Sequence, residues 1–399
     1  MRIRDLFDSN NKINWEFVNT IPEIKALIGC QQNTDWHQEG DAYNHTKLVV
    51  QEMEKIIAEN KINAPAVQTT LLAAALLHDI GKPPTTYYNE DEGQWKTQDH
   101  GLAGDKIVRR LFFDEPDVFK REAIAFMVRN HMTLHYIYGW SDKYKKKLIK
   151  LSYGHAPLQY MMWLNLADSH GSISYPENET EEQERIDLIA KMVDTLDIRW
   201  NPYLEYMDRV TRYNELNNLN LNVSDIDQTT ELFDVIIMCG LAGSGKSTFI
   251  KDNYPKLPVI SRDVMRYEMG LTSSPDEKII ARPDQEKKIT KMMNDRIIEL
   301  CKAGQSFVID NMNLRYIYRQ AVLKMVLPYN ARITLAYVEA PDVETCIKRR
   351  EGQIPAEEYD RIMNNFIFPQ PYEYDELIIA KQGDGGAVTI TQRWEVPTT

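Results

Sequence analysis

The apolar run Val235-Ile236-Ile237-Met238-Cys239 passes without interruption into Gly240-Leu241-Ala242-Gly243-Ser244-Gly245-Lys246-Ser247-Thr248. This junction constrains the fold more than any other part of the chain. The glycines let the backbone curl around a compact anion where a Cβ would clash, and the residues after them open a helix whose amides face the same anion. The spacing matches GxxxxGK[ST] in the setting that motif requires, a strand before it and a helix after it. On this reading Gly240, Gly243, Ser244, Gly245, Lys246, Ser247 and Thr248 bind ATP or another nucleoside triphosphate. Lys246 reaches the β- and γ-phosphates, and the Ser247 hydroxyl ligates Mg²⁺.

Short strand-like runs recur after it at Pro258 to Ser261, Ser306 to Ile309, Ile333 to Val338 and Leu377 to Ala380, with helical segments between them. That alternation predicts an α/β domain with a mainly parallel sheet. The preceding half differs. From about Asp41 to Asp197 apolar residues recur at three- and four-residue steps, which predicts an all-α domain. An Asn-rich polar stretch from Asn214 to Asp227 separates the two patterns, so the expected domains are 1–225 and 226–399.

Composition narrows the classes. The strongest apolar run, Leu71 to Leu77, is far too short to span a bilayer, and the N-terminus lacks the apolar core of an export signal. The four cysteines are scattered, which fits a reducing compartment, and a cytoplasmic location is expected. Net charge is −12, with about ten of the excess negatives before residue 231 and about two after it. Such a chain does not coat nucleic acid through bulk charge, but an enzyme gripping one chain end needs only a local basic pocket.

The chemistry of an acceptor site follows the second strand run. Asp263, in Ser261-Arg262-Asp263-Val264-Met265-Arg266, is placed to take a proton from an acceptor hydroxyl, and Arg266 lies one helical turn later to hold an acceptor phosphate. Asp310, ending a third strand run, is expected to orient Mg²⁺-bound water or Arg266. Arg349 and Arg350 precede a proline and a helical stretch, where they can close over the transferring phosphoryl group.

In the helical half His78-Asp79 closes an apolar helix and is followed by Ile80-Gly81-Lys82, with His45 upstream and Asp168 downstream. Imidazole nitrogen with carboxylate oxygen suits a divalent transition metal, which activates water and polarises a phosphoryl oxygen. His100 and His131 are candidates for a second ion, His135 for an alternative ligand or phosphate contact, and Lys82 for pairing with a substrate phosphate. His37, His155 and His170 are expected at surface or core positions without a role.

Residues 234–380, through these motifs, resemble the P-loop polynucleotide 5′-hydroxyl kinase family. The resemblance implies Asp263 as general base, Arg266 on the phosphate beside the terminal nucleoside, and Arg349 and Arg350 as lid arginines. Residues 41–197 resemble the HD phosphohydrolase superfamily. That implies a helical fold with His45, His78, Asp79 and Asp168 on a first metal and His100 and His131 on a second, the metals being Mn²⁺, Ni²⁺, Co²⁺ or Zn²⁺. Together the halves resemble bacterial and phage end-healing enzymes that join the two. This implies phosphorylation of 5′-hydroxyl ends, hydrolysis of 2′,3′-cyclic phosphate, 2′-phosphate or 3′-phosphate ends on RNA or DNA, and coupling to a polynucleotide ligase. Two other readings stand beside it: an HD nucleotidase fused to a small-molecule kinase, and a ligand sensor regulating an ATPase.

Overall fold

A computed structural model describes residues 1–202, 209–222, 232–273, 282–340, 342–350, 354–383 and 388–395, with 176–179, 382 and 394 described by backbone alone. The chain forms two compact units, Met1–Tyr203 and Leu204–Thr399.

The first unit opens with two single-turn helices, α1 (Trp15–Val18) and α2 (Pro22–Lys25). Its body is α3 (Ala42–Glu59), α4 (Pro65–Leu77), α5 (His100–Leu111), α6 (Val118–Asn130), α7 (Asp142–Ser152), α8 (Leu158–Gly171) and α9 (Pro176–Thr195). A 3-10 helix, His131–Tyr136, follows α6 directly. Helix α4 begins with Pro65, whose missing N–H costs nothing in a first turn, and every residue from Thr69 to Lys82 is buried. It has no polar face because α3, α6 and α8 all pack on it. Helix α3 is capped by Asp41, which accepts from the Asn44 amide at 2.9 Å, and buries Ala42, Val49, Val50, Met53 and Ile56.

This unit is helical, with one short exception. A hairpin, β1 (Thr86–Asn89) paired antiparallel with β2 (Gln94–Thr97), interrupts it before α5. Thr, Tyr and Trp favour the pleat, and Gly93 turns the chain at φ +66°. The run is too short and too exposed to stand out against a helical background.

The second unit begins with α10 (Arg209–Asn217) and β3 (Phe233–Cys239), followed by α11 (Lys246–Asn253), β4 (Val259–Ser261), α12 (Arg262–Glu268) and α13 (Pro283–Lys302). It continues with β5 (Phe307–Asp310), α14 (Tyr316–Val326), β6 (Ala331–Glu339), α15 (Val343–Arg349), α16 (Ala356–Asn364), β7 (Glu376–Gln382) and β8 (Val388–Glu395). The sheet order is β4-β5-β3-β6-β7-β8; the first five strands are parallel and β8 is antiparallel. The five strand runs read from sequence are β3 to β7, and β8 is the strand not foreseen.

The expected junction at 225/226 lies outside the described residues. The compact units divide earlier because α10 belongs to the second one. Arg209 and Arg212 reach Asp375 at 2.8 and 3.1 Å, and the Asn217 amide donates to the Tyr372 carbonyl at 2.6 Å.

A fully buried ion pair ties this unit to its phosphate-binding edge. Arg319 donates to Glu373 at 2.6 and 3.0 Å and to the Asn313 carbonyl at 2.8 Å. Removing one partner strands the other charge in the core. Glu373→Ala is expected to destabilise the second unit by about 3–5 kcal/mol, read as a lowered midpoint in urea unfolding. A loss below about 1 kcal/mol would show that the charge is solvated rather than stranded.

Candidate active sites

In the first unit, α3, α4, α5, α8 and the 3-10 helix bring together the histidines and carboxylates expected to share metal ions. Two hydrogen bonds fix the imidazoles. His78 Nδ1 lies 2.8 Å from the Ala75 carbonyl and His131 Nδ1 lies 2.7 Å from the Val128 carbonyl. A carbonyl only accepts, so each Nδ1 carries the proton and each Nε2 presents a lone pair. His78 Nε2 then meets His45 Nε2 at 3.2 Å, and His131 Nε2 meets His100 Nε2 at 3.0 Å.

Asp79 stands between the two pairs. Its Oδ2 lies 3.2 Å from His78 Nε2 and 3.8 Å from His45 Nε2, and its Oδ1 lies 3.4 and 3.6 Å from Nε2 of His100 and His131. Asp168 Oδ1 completes the first group, 2.9 Å from His45 Nε2 and 3.5 Å from His78 Nε2. Lys82 Nζ is 2.6 Å from Asp79 Oδ2 as an ion pair and donates to Gln32 Oε1 at 2.5 Å. Neither oxygen of the buried Asp79 carboxylate accepts a hydrogen bond in good geometry among the described residues. Facing nitrogen lone pairs around an unsatisfied buried carboxylate form a donor set that a divalent transition ion fits. His45, His78, Asp79 and Asp168 would hold one ion, and His100, His131 and the second Asp79 oxygen another.

The electrostatics of the set are uneven. Burial opposes ionisation of Asp79, but His78 and Lys82 hold it well below the usual carboxylate range; Asp168 is held low against its own burial by His78, His135 and His45. His100 is driven the other way, down to about 3, by burial and by His131. His45 rises to about 9 despite burial, through Asp168 and Glu39.

Gly81 makes the geometry possible. A Cβ there would lie 2.0 Å from the His100 carbonyl oxygen and 2.6 Å from the Gly104 amide nitrogen, so only glycine lets the turn after α4 touch the start of α5.

Three participants are not evident in the sequence. Glu39 Oε1 lies 3.0 Å from His45 Nδ1 and 2.8 Å from His37 Nδ1, so His37 is joined to the cluster rather than idle. Glu182 and Arg185 surround His135, whose Nε2 is 3.1 Å from Asp168 Oδ2. Glu39 and His37 lie in irregular chain, and a lone Glu on the acidic α9 reads as solvated surface.

In the second unit Gly240, Gly243 and Gly245 adopt φ of +148°, +88° and +99° ahead of α11. A Cβ on Gly243 would lie 2.9 Å from the Cys346 carbonyl oxygen, so α15 closes directly on the loop. Lys246 Nζ donates to the carbonyls of Gly240 and Leu241 at 3.0 and 2.8 Å. Ser247 Oγ lies 3.4 Å from Asp310 Oδ2 at the end of β5, a hydroxyl and carboxylate pair suited to Mg²⁺. Thr248 lines the same cavity as Lys246 and Ser247.

The Ser261 hydroxyl caps α12 by accepting from the Val264 amide at 3.1 Å, which sets Asp263 in the first turn. Arg266 donates to Asp263 Oδ1 at 2.8 Å and to Glu286 Oε1 at 2.7 Å, while Arg262 takes the other Glu286 oxygen at 2.5 Å. Glu286, on α13, is the unforeseen member here. Arg349 donates to the Gly243 carbonyl at 3.0 Å, and the buried Tyr359 hydroxyl holds α16 to Ala242 and Cys346. Lys246, Ser247, Asp263, Arg266, Asp310, Arg349 and Arg350 all line one cavity of about 1280 Å³.

Comparison with known proteins finds a domain of each kind. An HD domain model matches residues 42–200, and an AAA domain model matches residues 235–366. The chain thus joins an HD domain to a P-loop kinase domain. A multifunctional CCA protein from Shewanella frigidimarina is 34% identical over 91 residues, 23% of this chain and 19% of that protein. A CC-adding tRNA nucleotidyltransferase from Thermus thermophilus is 30% identical over 113 residues, 28% of this chain and 24% of that protein. The chain therefore spans about a quarter or less of the length of these two relatives. A solved Pnkp1/Rnl/Hen1 RNA repair complex is 26% identical over 35% of this chain and 45% of that one, with a TM-score of 0.30. No helix among the described residues is long and apolar enough to cross a membrane.

Titration calorimetry with Mn²⁺ checks the donor sets. His100→Ala is expected to remove one of two binding events, and Asp79→Asn to weaken both by at least about tenfold. Two unchanged events in Asp79→Asn would show that the carboxylate does not bridge.

Proposed function

We propose that this chain is a nucleic-acid end-healing enzyme, in which the second unit phosphorylates 5′-hydroxyl ends from ATP or another nucleoside triphosphate. In the same reading the first unit hydrolyses 2′,3′-cyclic phosphate, 2′-phosphate or 3′-phosphate ends, with 1–225 and 226–399 as the functional halves. The observation that carries it is the cavity of the second unit. Beyond the phosphate loop it holds an acceptor wall of Asp263 and Arg266 and an apolar floor including Met293, Ile297, Val322 and Met325. About 1280 Å³ exceeds the usual range for one small ligand, roughly 300–1,000 Å³, which leaves room for a terminal nucleoside beside the triphosphate. Relatives over about a quarter of the chain, one named a multifunctional CCA protein and one a CC-adding tRNA nucleotidyltransferase, support a polynucleotide over a metabolite.

In the kinase reaction Asp263 accepts the proton of the 5′-hydroxyl as that oxygen attacks the γ-phosphorus and the β–γ bridging bond breaks. Arg266 holds Asp263 in place and exchanges its Glu286 partner for a phosphate of the acceptor strand. Lys246 leaves its two carbonyls for the β- and γ-phosphates, and Arg349 and Arg350 fold over the leaving group from α15. Ser247 and Asp310 would hold Mg²⁺, which would supply charge neutralisation when bound.

In the hydrolase reaction Lys82 pairs with the phosphate of the substrate, and His135 Nε2 donates the proton that the departing ribose oxygen needs. Burial opposes protonation of His135, but hydrogen bonds to Asp168 and Glu182 outweigh it and raise its pKa above the ordinary imidazole value, which favours the proton-donating form. Mn²⁺, Ni²⁺, Co²⁺ or Zn²⁺ on the imidazole and carboxylate set supplies an activated water when bound. RNA and DNA ends are both within this chemistry, a polynucleotide ligase is the enzyme that uses the products, and a cytoplasmic setting suits all three.

An oligonucleotide with a 5′-hydroxyl and a 2′,3′-cyclic phosphate, given ATP, Mg²⁺ and Mn²⁺ or Ni²⁺, reports both ends. Lys246→Ala and Asp263→Ala are expected to lower 5′ phosphorylation at least about 10²-fold and spare the other end. His78→Ala and Asp79→Ala should do the converse. Transfer to free nucleosides with none to oligonucleotides would instead establish the small-molecule kinase.

A further inference from the structure

Residues before 231 carry about ten more acids than bases, yet Tyr136–Lys150 holds five lysines against the single acid Asp142. On the same stretch Tyr136, Tyr138 and Trp140 are 52%, 69% and 41% exposed, while the aliphatic Ile137 between them is fully buried. Lys145 pairs with Asp142 at 3.4 Å. Lys143 and Lys147, one turn apart on α7, have no acidic partner among the described residues. Each instead lies over a ring, Lys143 Nζ 5.5 Å from Tyr144 and Lys147 Nζ 5.9 Å from Tyr136. Like charges at this spacing disfavour the helix unless an anion joins them. Burial and Lys143 together lower the pKa of Lys147, a sign of the same crowding.

The strip is continuous with the metal-ligand cluster. Tyr136 ends the 3-10 helix that begins at His131, and it follows His135, which touches Asp168. Unpartnered ammoniums interleaved with exposed aromatic faces are the elements with which proteins track a single strand, phosphates on the charges and bases on the rings. A membrane surface also uses aromatics and lysines, but it beds an apolar face that includes aliphatic side chains into the acyl boundary, and the aliphatic Ile137 of this stretch is buried; an acidic peptide has no planar bases to stack. We propose that Tyr136, Tyr138, Trp140, Lys143 and Lys147 form a landing strip for the last nucleotides of a single-stranded polynucleotide whose 3′ end enters the metal-ligand cluster. The strip rests on the end-healing reading and adds to it the form of the substrate and its path.

The test is steady-state hydrolysis of a 3′-phosphorylated mononucleotide and a 3′-phosphorylated octanucleotide by the full chain, with Mn²⁺, at two salt concentrations. The octamer should have a KM about tenfold lower than the monomer, and the advantage should shrink with salt. Lys143→Glu/Lys147→Glu with Tyr138→Ala should raise the octamer KM about tenfold and leave its kcat unchanged. Unaltered monomer turnover would show that the fold and the metal site survive, and Lys143→Arg/Lys147→Arg should keep the octamer advantage. An advantage that persists in the glutamate variant overturns the strip. So does a wild-type KM equal for both lengths, although the end-healing reading then stands. Hydrolysis of the monomer with none of the octamer overturns that reading, and the strip with it. A variant that loses binding to phosphatidylserine vesicles but keeps its octamer KM would reassign the surface to a membrane.

Discussion

The buried Asp79 carboxylate is the constraint around which the first unit is arranged. An ionised carboxyl group taken out of water costs several kcal/mol unless charges or metal ions replace its hydration. Here Lys82, two imidazole pairs and the close approach of α5 surround it, and both oxygens are left without a hydrogen bond in good geometry. The apolar length of α4 follows from this requirement. A helix buried from Thr69 onward can deliver His78 and Asp79 into the interior, and the packing of α3, α6 and α8 around it offsets the cost of the polar cluster at its end. Gly81 then permits the contact that carries His100 to the far oxygen.

The second unit meets a different electrostatic problem. Its phosphate loop supplies fixed backbone dipoles rather than imidazole, and the loop must keep its shape before any anion arrives. Three positive-φ glycines allow that shape, and neighbouring elements hold it. Asn313 donates to the Met238 carbonyl at 2.8 Å, and the Gly240 amide donates to the Met312 carbonyl at 2.9 Å, so the ends of β3 and β5 are tied together. The buried Arg319–Glu373 pair braces Asn313 from below. The Asp263–Arg266 segment that follows β4 and the phosphate loop that follows β3 therefore flank Asp310 at the end of β5, along one edge of the sheet.

What the sequence made legible was local chemistry with a fixed spacing. Glycines before a lysine, a histidine-aspartate pair closing an apolar helix, and five short apolar strands each announce themselves within a few residues. Partners that act through space do not. Glu286 joins Arg262 and Arg266 from twenty or more residues away, and nothing in its helix distinguishes it from solvated glutamates nearby. Glu39 sits in irregular chain, and His37 gained a place in the cluster only through it. Strand β8 escaped for another reason: as an antiparallel edge strand it has one buried face, and its alternation is weaker than the solid apolar runs of the parallel strands. Helix α10 begins before the Asn-rich stretch in sequence but packs with the second unit, because Asp375 claims both its arginines.

The net charge of −12 and an anionic substrate are compatible because charge acts over a Debye length of roughly 8 Å in physiological salt, not over the whole chain. Most acids on the first unit are screened from a strand that approaches elsewhere, whereas lysines crowded on one face of α7 act together. An acidic surface also keeps nonspecific polyanion binding weak, since counterion release needs many basic contacts at once. The proposed end-healing activity, which must find a chain end rather than coat the chain, would gain from that arrangement. On the proposed end-healing reading, affinity is concentrated at the histidine and carboxylate cluster of the first unit and at the phosphate loop of the second, and neither requires the rest of the surface to be basic.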